Sequence, residues 1–173
     1  MAPAWSRRPA IHKAAGVGLP TLVRSLLLMF SIMNITPVIP ANPHFSRVGG
    51  AEGVERLVDA FYRHMDALPE ASGIRAMHEP DLGPTKAVLK LYLCEWLGGP
   101  REYSAQRGHP RLRMRHGPFR IGAGERDAWL ACMRKALDEV VADAATREQL
   151  MQAFFKTADF IRNDQGNPHE HHH

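Results

Sequence analysis

The sequence predicts an all-α fold with four principal helices. Apolar residues recur at steps of three and four in four separate stretches of the chain, which is the spacing of one face of an amphipathic helix. No stretch shows the sustained two-residue alternation, flanked by turns, that is typical of a β-strand. With 173 residues, 45% of them hydrophobic and 23% charged, the chain has the size and composition of one globular domain.

Proline and glycine close the first two predicted helices. An apolar stripe runs from Gly50 to Leu68, and Pro69 ends it. The second helix opens near Thr85, and the sequence Gly98-Gly99-Pro100 stops it. The buried stripe predicted for this second helix consists of Val88, Leu89, Tyr92, Leu93, Trp96 and Leu97.

Two further helices are expected after a long connector. The third begins at about Gly124 and carries Trp129 on its apolar face. The fourth begins after Asp143 or Thr146, and Thr146 with Gln149 forms a capping-box pattern.

The connector between the second and third helices, residues 101–123, is the first candidate for a functional segment. A structureless loop of about twenty residues is uncommon in a compact domain unless it has a function. Pro118 prevents a helix from continuing regularly, so His116 is expected at a helix end beside free carbonyl groups. A carbonyl that fixes one ring nitrogen leaves the other to bind a haem iron. Taken alone, a histidine among arginines is also compatible with a surface residue. Apolar neighbours that could press on a porphyrin are Leu112, Met114, Phe119 and Ile121.

The charge distribution argues against a general nucleic-acid surface. The net charge is +4, and residues 1–45 hold four basic residues and no acidic one. The other 18 of the 22 basic residues are balanced by 18 acidic residues in the rest of the chain. We therefore expect no nucleic-acid partner. A helical nucleic-acid-binding module remains the alternative from another functional class, and its arginines would be Arg107, Arg111, Arg113 and Arg115.

Residues 1–45 differ in kind from the rest of the chain. The apolar run LLLMFSIM, residues 26–33, precedes a proline-rich stretch. It resembles a secretory signal, but Arg24 lies against it, no A-x-A site comes after it, and it is too short to span a bilayer. We expect 1–45 to be a disordered extension or an upstream misassigned start, with Met33 as the alternative start of translation.

The remaining boundaries and the compartment are inferred from composition. The domain is expected over residues 46–164, followed by a flexible His-rich tail over 165–173. Cys94 and Cys132 form neither a disulfide framework nor a CxxC site. These features predict a cytoplasmic protein without a membrane partner.

Four motifs in order carry a resemblance to a known family. They are FYRHMD (61–66), LYLCEWLGGP (91–100), GHPRLRMRHGPFRIG (108–122) and ERDAWLACM (125–133). Together they resemble the truncated haemoglobins of group II, over about residues 46–163. The resemblance implies a two-over-two helical sandwich, a shortened globin, around haem b.

The resemblance also implies roles for individual residues. His116 would be the proximal iron ligand, whereas His109 falls at a position that is not a ligand. Tyr62 and Trp129 would donate hydrogen bonds to the bound ligand on the distal side, and His78 would face the haem. The distal helix would contribute Thr85 and Leu89. Threonine at position 85 departs from the glutamine or histidine of other globins. Candidates for the propionate side are Tyr103, Arg107, Arg111 and Arg115.

The implied function is binding of O₂, NO, CO or other small ligands in a polar pocket. Sensing, scavenging or redox chemistry fits such a pocket better than bulk oxygen transport, and an unidentified reductase would be a partner. Enzymatic turnover, as an NO dioxygenase or a peroxidase, is left open, and in a peroxidase-like enzyme His78 would manage protons. Without the resemblance, the residues themselves favour the interpretation of Tyr62 and Trp129 as core aromatics.

Overall fold

The structure, a computed structural model, describes residues 43–164. Within this range it contains eight α-helices, one 3₁₀ turn and no β-strand, which confirms the predicted all-α class. The helices are α1 His44–Val48, α2 Gly50–Ala67, α3 Ser72–Ala76, α4 Gly83–Trp96, α5 Glu102–Arg107, α6 Leu112–His116, α7 Ala123–Val140 and α8 Ala144–Ile161, and the 3₁₀ turn is Pro69–Ala71. The four predicted helices are α2, α4, α7 and α8.

The four long helices form two pairs. Helix α2 packs against α4, α7 packs against α8, and α2 and α7 join the pairs. This is the two-over-two sandwich that the resemblance implies. The core lies where the pairs meet, and its fully buried side chains include Leu57, Phe61, Met133, Leu137 and Leu150. No helix within residues 43–164 is both long and apolar enough to cross a bilayer.

Helix α1 packs against the domain and begins two residues before the predicted boundary at 46. The Phe45 N–H donates to the Leu97 carbonyl at 3.0 Å. A Cβ atom on Gly53 would lie 1.9 Å from the Val48 carbonyl oxygen, so only glycine permits this close approach of α1 to α2. The predicted extension up to residue 42, with Met33, and the predicted tail 165–173 lie outside the described residues.

The connector 101–123 is not structureless, because it contains the short helices α5 and α6. Helices of five or six residues are too short to repeat an apolar position, so periodicity could not reveal them. The Glu95 carboxylate ties α5 to α4 by accepting the Ser104 N–H at 2.8 Å and the Ser104 hydroxyl.

The N-cap of α8 is Asp143, the first of the two predicted starts, and not Thr146 of the capping-box pattern. The Asp143 carboxylate accepts the Thr146 N–H at 2.8 Å and also the Thr146 hydroxyl. These hydrogen bonds lower the pKa of the Asp143 carboxyl. Thr146 is the third residue of the helix and is buried, and its hydroxyl donates to the cap. At α7, the Glu125 carboxylate accepts the Gly122 N–H at 2.8 Å.

Candidate cofactor cavity

A cavity of about 450 Å³ lies among α3, α4, α6, α7 and α8. This volume falls within the range of about 300–1,000 Å³ that is usual for small-molecule sites. Its wall is mainly apolar and aromatic, with a few polar groups, as such sites typically are. The lining residues include His78, Thr85, Leu89, Tyr92, Trp96, Leu112, His116, Phe119, Ile121, Arg126, Trp129 and Phe154.

His116 presents a defined ring nitrogen in this cavity wall. It is the last residue of α6, and its Nδ1 lies 2.7 Å from the Leu112 carbonyl oxygen one turn earlier. Because a carbonyl only accepts, Nδ1 carries the proton and Nε2 of the neutral ring keeps a lone pair. A neutral imidazole whose other N–H is held by a backbone carbonyl is the ligand that a haem iron requires. The residues present therefore fit a haem.

His78 repeats the same arrangement on another part of the wall. Its Nδ1 lies 2.8 Å from the Ile74 carbonyl oxygen, again four residues earlier. The neutral His78 ring therefore offers an acceptor at Nε2 rather than a donor. The rings of His78 and Tyr62 meet edge to face, with centroids 5.6 Å apart.

Trp129 lines the cavity from α7. Its ring is held by Phe61, at a centroid distance of 5.1 Å, and by Phe154, at 5.6 Å. The indole N–H can only donate a hydrogen bond. These aromatic contacts restrict the orientation of the ring. The indole thus adds both apolar surface and one polar donor to the wall.

Tyr62 does not line the cavity. It is only 3% exposed and lies against His78 and Phe61. Burial raises its pKa to about 12, although the charge of Arg75 lowers it slightly. The hydroxyl therefore stays protonated well above neutral pH, and it lies in the layer behind His78.

The structure brings together in the cavity wall eight of the candidate site residues from the sequence. One is the candidate iron ligand, three are on the candidate distal side, and four are apolar. They are His116, His78, Thr85, Trp129, Leu89, Leu112, Phe119 and Ile121.

The other candidates do not line the cavity. Met114 is 62% exposed because residues 112 and 116 share one face of the helix and 114 lies on the other. Tyr103 is buried under Tyr92, with ring centroids 5.6 Å apart.

The three arginine candidates are exposed around α5 and α6. Arg111 has a left-handed backbone with φ of 45° at the start of α6. Arg115 donates from Nε to the Pro110 carbonyl at 2.9 Å. Arg107 is the last residue of α5.

The polar groups of the wall that sequence reasoning missed include Tyr92 and Arg126. Tyr92 is predicted only as a core residue, and burial raises its pKa to about 12, with the neighbouring Tyr103 adding to the shift. The Arg126 guanidinium binds Asp127 and Asp159, and these hydrogen bonds raise its pKa. Arg126 precedes Trp129 by three residues, a spacing that places both on one helix face, and this signal could have found it.

Known proteins are similar to this chain over nearly all of its described residues. Residues 44–163 match the bacterial-like globin family. The group 2 truncated hemoglobin YjbI of Bacillus subtilis (strain 168) is 38% identical over 114 residues, which are 66% of this chain and 84% of that protein.

Solved structures show the same likeness. The cold-adapted truncated hemoglobin of the Antarctic marine bacterium Pseudoalteromonas haloplanktis TAC125 is 36% identical with a TM-score of 0.68, over 70% of this chain and 98% of that one. The group II 2-on-2 hemoglobin of the plant pathogen Agrobacterium tumefaciens is 41% identical with a TM-score of 0.66, over 69% and 92% of the two chains.

Proposed function

The chain belongs to the bacterial-like globin family, among the truncated haemoglobins of group II, and on that premise we propose that its cavity holds haem b with His116 as the iron ligand. Globin membership implies that a haem and a small diatomic ligand are bound. The observation that carries the assignment of His116 is the 2.7 Å contact between its Nδ1 and the Leu112 carbonyl. The bound haem supplies an iron that can take a diatomic ligand and exchange electrons.

The cavity wall supplies a hydrogen-bond donor for that ligand, the indole of Trp129. The Trp129 indole donates to a ligand that carries partial negative charge, and such a bond is strong in a pocket that excludes water. His78, Thr85 and Leu89 line the same cavity and limit the space available to the ligand. A donor of this kind slows ligand release. The arrangement supports sensing, scavenging or redox chemistry on O₂ or NO in preference to bulk oxygen transport.

A basic surface beside the cavity supports a negatively charged redox partner. Residues 103–124 contain no aspartate or glutamate. The side chains of Arg107, Arg111, Arg113 and Arg115 are all exposed. Such a surface attracts acidic groups and accelerates their association. Both the haem carboxylates and the acidic face of an electron-donating reductase belong to that class. The free thiols of Cys94 and Cys132 are compatible with a reducing cytoplasm.

Titration of the purified chain with haemin tests the proposed function. We expect a strong Soret band at one haem per chain, and a ferrous form whose spectrum changes on addition of CO. A chain that takes up no haem contradicts the proposal. A chain that instead binds oligonucleotides at physiological salt supports the nucleic-acid alternative.

A peroxidase-type reaction is the second candidate, and the orientation of His78 favours it. Its Nε2 lone pair in the cavity wall can accept a proton from a peroxide held there. Peroxide-dependent oxidation of a phenol should then fall when His78→Leu removes this base, whereas His64→Leu, outside the cavity wall, should leave it unchanged. Equal rates in both variants contradict a proton-accepting role.

A further inference from the structure

Asn163, just beyond the end of α8, bonds to the segment 116–121 through both ends of its side-chain amide. Its Nδ2 donates to the carbonyls of His116 at 3.2 Å and of Phe119 at 2.8 Å. Its Oδ1 accepts the Ile121 N–H at 2.9 Å. The backbone N–H of Asn163 also donates to the Ile121 carbonyl at 3.0 Å. One residue therefore binds three points of a segment more than forty positions earlier in the chain.

The partners determine the orientation of the Asn163 amide. Two carbonyl oxygens face Nδ2 and one N–H faces Oδ1. A flipped amide would set an oxygen against two carbonyls and an NH₂ group against an N–H. Each hydrogen-bonding group thus has a partner of the opposite kind.

Besides Asn163, the segment 116–121 is attached through the next residue, Asp164, whose N–H donates to the Ile121 carbonyl at 3.0 Å and whose carboxylate binds Arg120. Helix α6 has only five residues, which is too short to be stable alone. Residues 117–120 are exposed, and Pro118 has no N–H to donate. The Phe119 N–H donates to the His116 carbonyl at 3.1 Å, which closes a turn within the segment but does not attach it to the domain.

We propose that Asn163 is a positioning residue for His116 and for the cavity wall formed by Phe119 and Ile121. It acts through the backbone at the end of α6, where the His116 carbonyl is one of its acceptors. The consequence for His116 as iron ligand rests on the proposed function. The attachment of the segment itself does not.

The test compares Asn163→Ala with Gln152→Ala, a matched control that removes another exposed amide near α8. Gln152 lies within α8 and bonds only weakly to Glu148, at 3.4 Å. In the haem-free chain, amide exchange at Ile121 should accelerate about two- to tenfold in Asn163→Ala, the range expected for one lost hydrogen bond. In the haem-loaded ferrous protein, the iron–histidine stretching band should shift or broaden, and haem transfer to an excess of an apo-globin acceptor should quicken.

The Gln152→Ala variant should match the unmodified protein in all three measurements. Unchanged Ile121 exchange in Asn163→Ala overturns the attachment. If Ile121 exchange is faster but the iron–histidine band and the rate of haem loss are both unchanged, the positioning role is wrong. A lower thermal midpoint as the only change also contradicts it. If Asn163→Ala does not fold, Asn163→Ser, which retains a short polar side chain, is measured in its place and judged by the same criteria. If the unmodified chain takes up no haem, the proposed function fails, and Ile121 exchange still decides the attachment.

Discussion

The Nδ1 atom of His116 lies 2.7 Å from the Leu112 carbonyl oxygen, and Nδ1 of His78 lies 2.8 Å from the Ile74 carbonyl oxygen. Both contacts run to the residue four positions earlier, and both rings line the same cavity. In each neutral ring, Nε2 therefore carries the lone pair. The cavity thus contains two imidazoles with one tautomer in common, one at the end of α6 and the other after α3.

Replacement of His116 is expected to abolish stable haem binding. A carbonyl that orients a ligand contributes about ten- to a hundredfold in metal affinity, so loss of the ligand itself in His116→Ala should weaken haem binding by at least that much. His109→Ala is the control, because His109 is exposed and its Nδ1 accepts the Arg111 N–H. Haemin titrations give both affinities. A normal ferrous spectrum in His116→Ala contradicts the assignment.

Trp129→Phe is expected to speed O₂ release while changing CO release much less. A hydrogen bond to a charged acceptor contributes about 1.5–3 kcal/mol, and about 1.4 kcal/mol is tenfold. The O₂ dissociation rate should therefore rise by roughly ten- to a hundredfold. CO is the poorer acceptor, so stopped-flow release of CO is the internal control. Equal acceleration of both ligands would mean that the smaller ring acts by enlarging the cavity.

Tyr62→Phe is expected to speed O₂ release less than Trp129→Phe does, because Tyr62 lies behind His78 and does not line the cavity. The rise should not exceed the effect of one ordinary hydrogen bond, about 0.5–1.5 kcal/mol or roughly two- to tenfold. If both donors meet one ligand, the double variant should release O₂ more slowly than the product of the two single effects predicts. Unchanged O₂ release in Tyr62→Phe identifies Tyr62 as a core aromatic.

Burial of Tyr62 predicts a loss of stability at alkaline pH. Its pKa is about 12 in the folded chain and 10.0 in the reference state. Since the pKa of Tyr62 is higher in the folded chain, its protonated hydroxyl contributes fully to the free energy of unfolding below pH 10. This contribution disappears as the pH rises toward 12. Between pH 9 and pH 11, the decline in unfolding free energy should be smaller by about 1 kcal/mol in Tyr62→Phe. Urea unfolding at both pH values measures it, with Trp129→Phe as a non-titrating control that should keep the full decline.

The N-cap of α8 predicts different effects on thermal stability for two polar residues near the start of that helix, Asp143 and Gln149. Asp143→Ala should lower the thermal midpoint by a few degrees, because the Thr146 N–H loses its acceptor. Gln149→Ala should leave it nearly unchanged, since Asp143 is the cap. The difference in thermal midpoint between Asp143→Ala and the unmodified protein should shrink as the pH falls through the lowered pKa of Asp143. Protonation of Asp143 then removes the stabilisation by the charged cap from the unmodified protein as well. Equal losses in both variants would favour the capping box at Thr146 and Gln149.

The class and the long helices could be read from the sequence because their signals are local. These signals act through burial and backbone geometry within one segment. They are the apolar stripe of α2, Pro69 after it, and Gly98-Gly99-Pro100 after α4. The segment around His116 was found in the same way, from Pro118 and the apolar neighbours. Assignment of a role to His116, Tyr62 and Trp129 needed the resemblance of four motifs as well.

Other features depend on contacts between distant segments, and no local pattern encodes them. Asn163 meets His116 only because α8 ends beside α6, and Arg126 becomes part of the cavity wall only when α7 packs on α8. The sequence alone determined which residues could serve as ligand, donor and wall. The tertiary structure decided that His78 lines the cavity with Nδ1 held by a carbonyl, that Tyr62 lies behind it and that Met114 points away. The physical reason is that the direction of a side chain depends on the packing of its helix against others and on which carbonyls that packing leaves within reach.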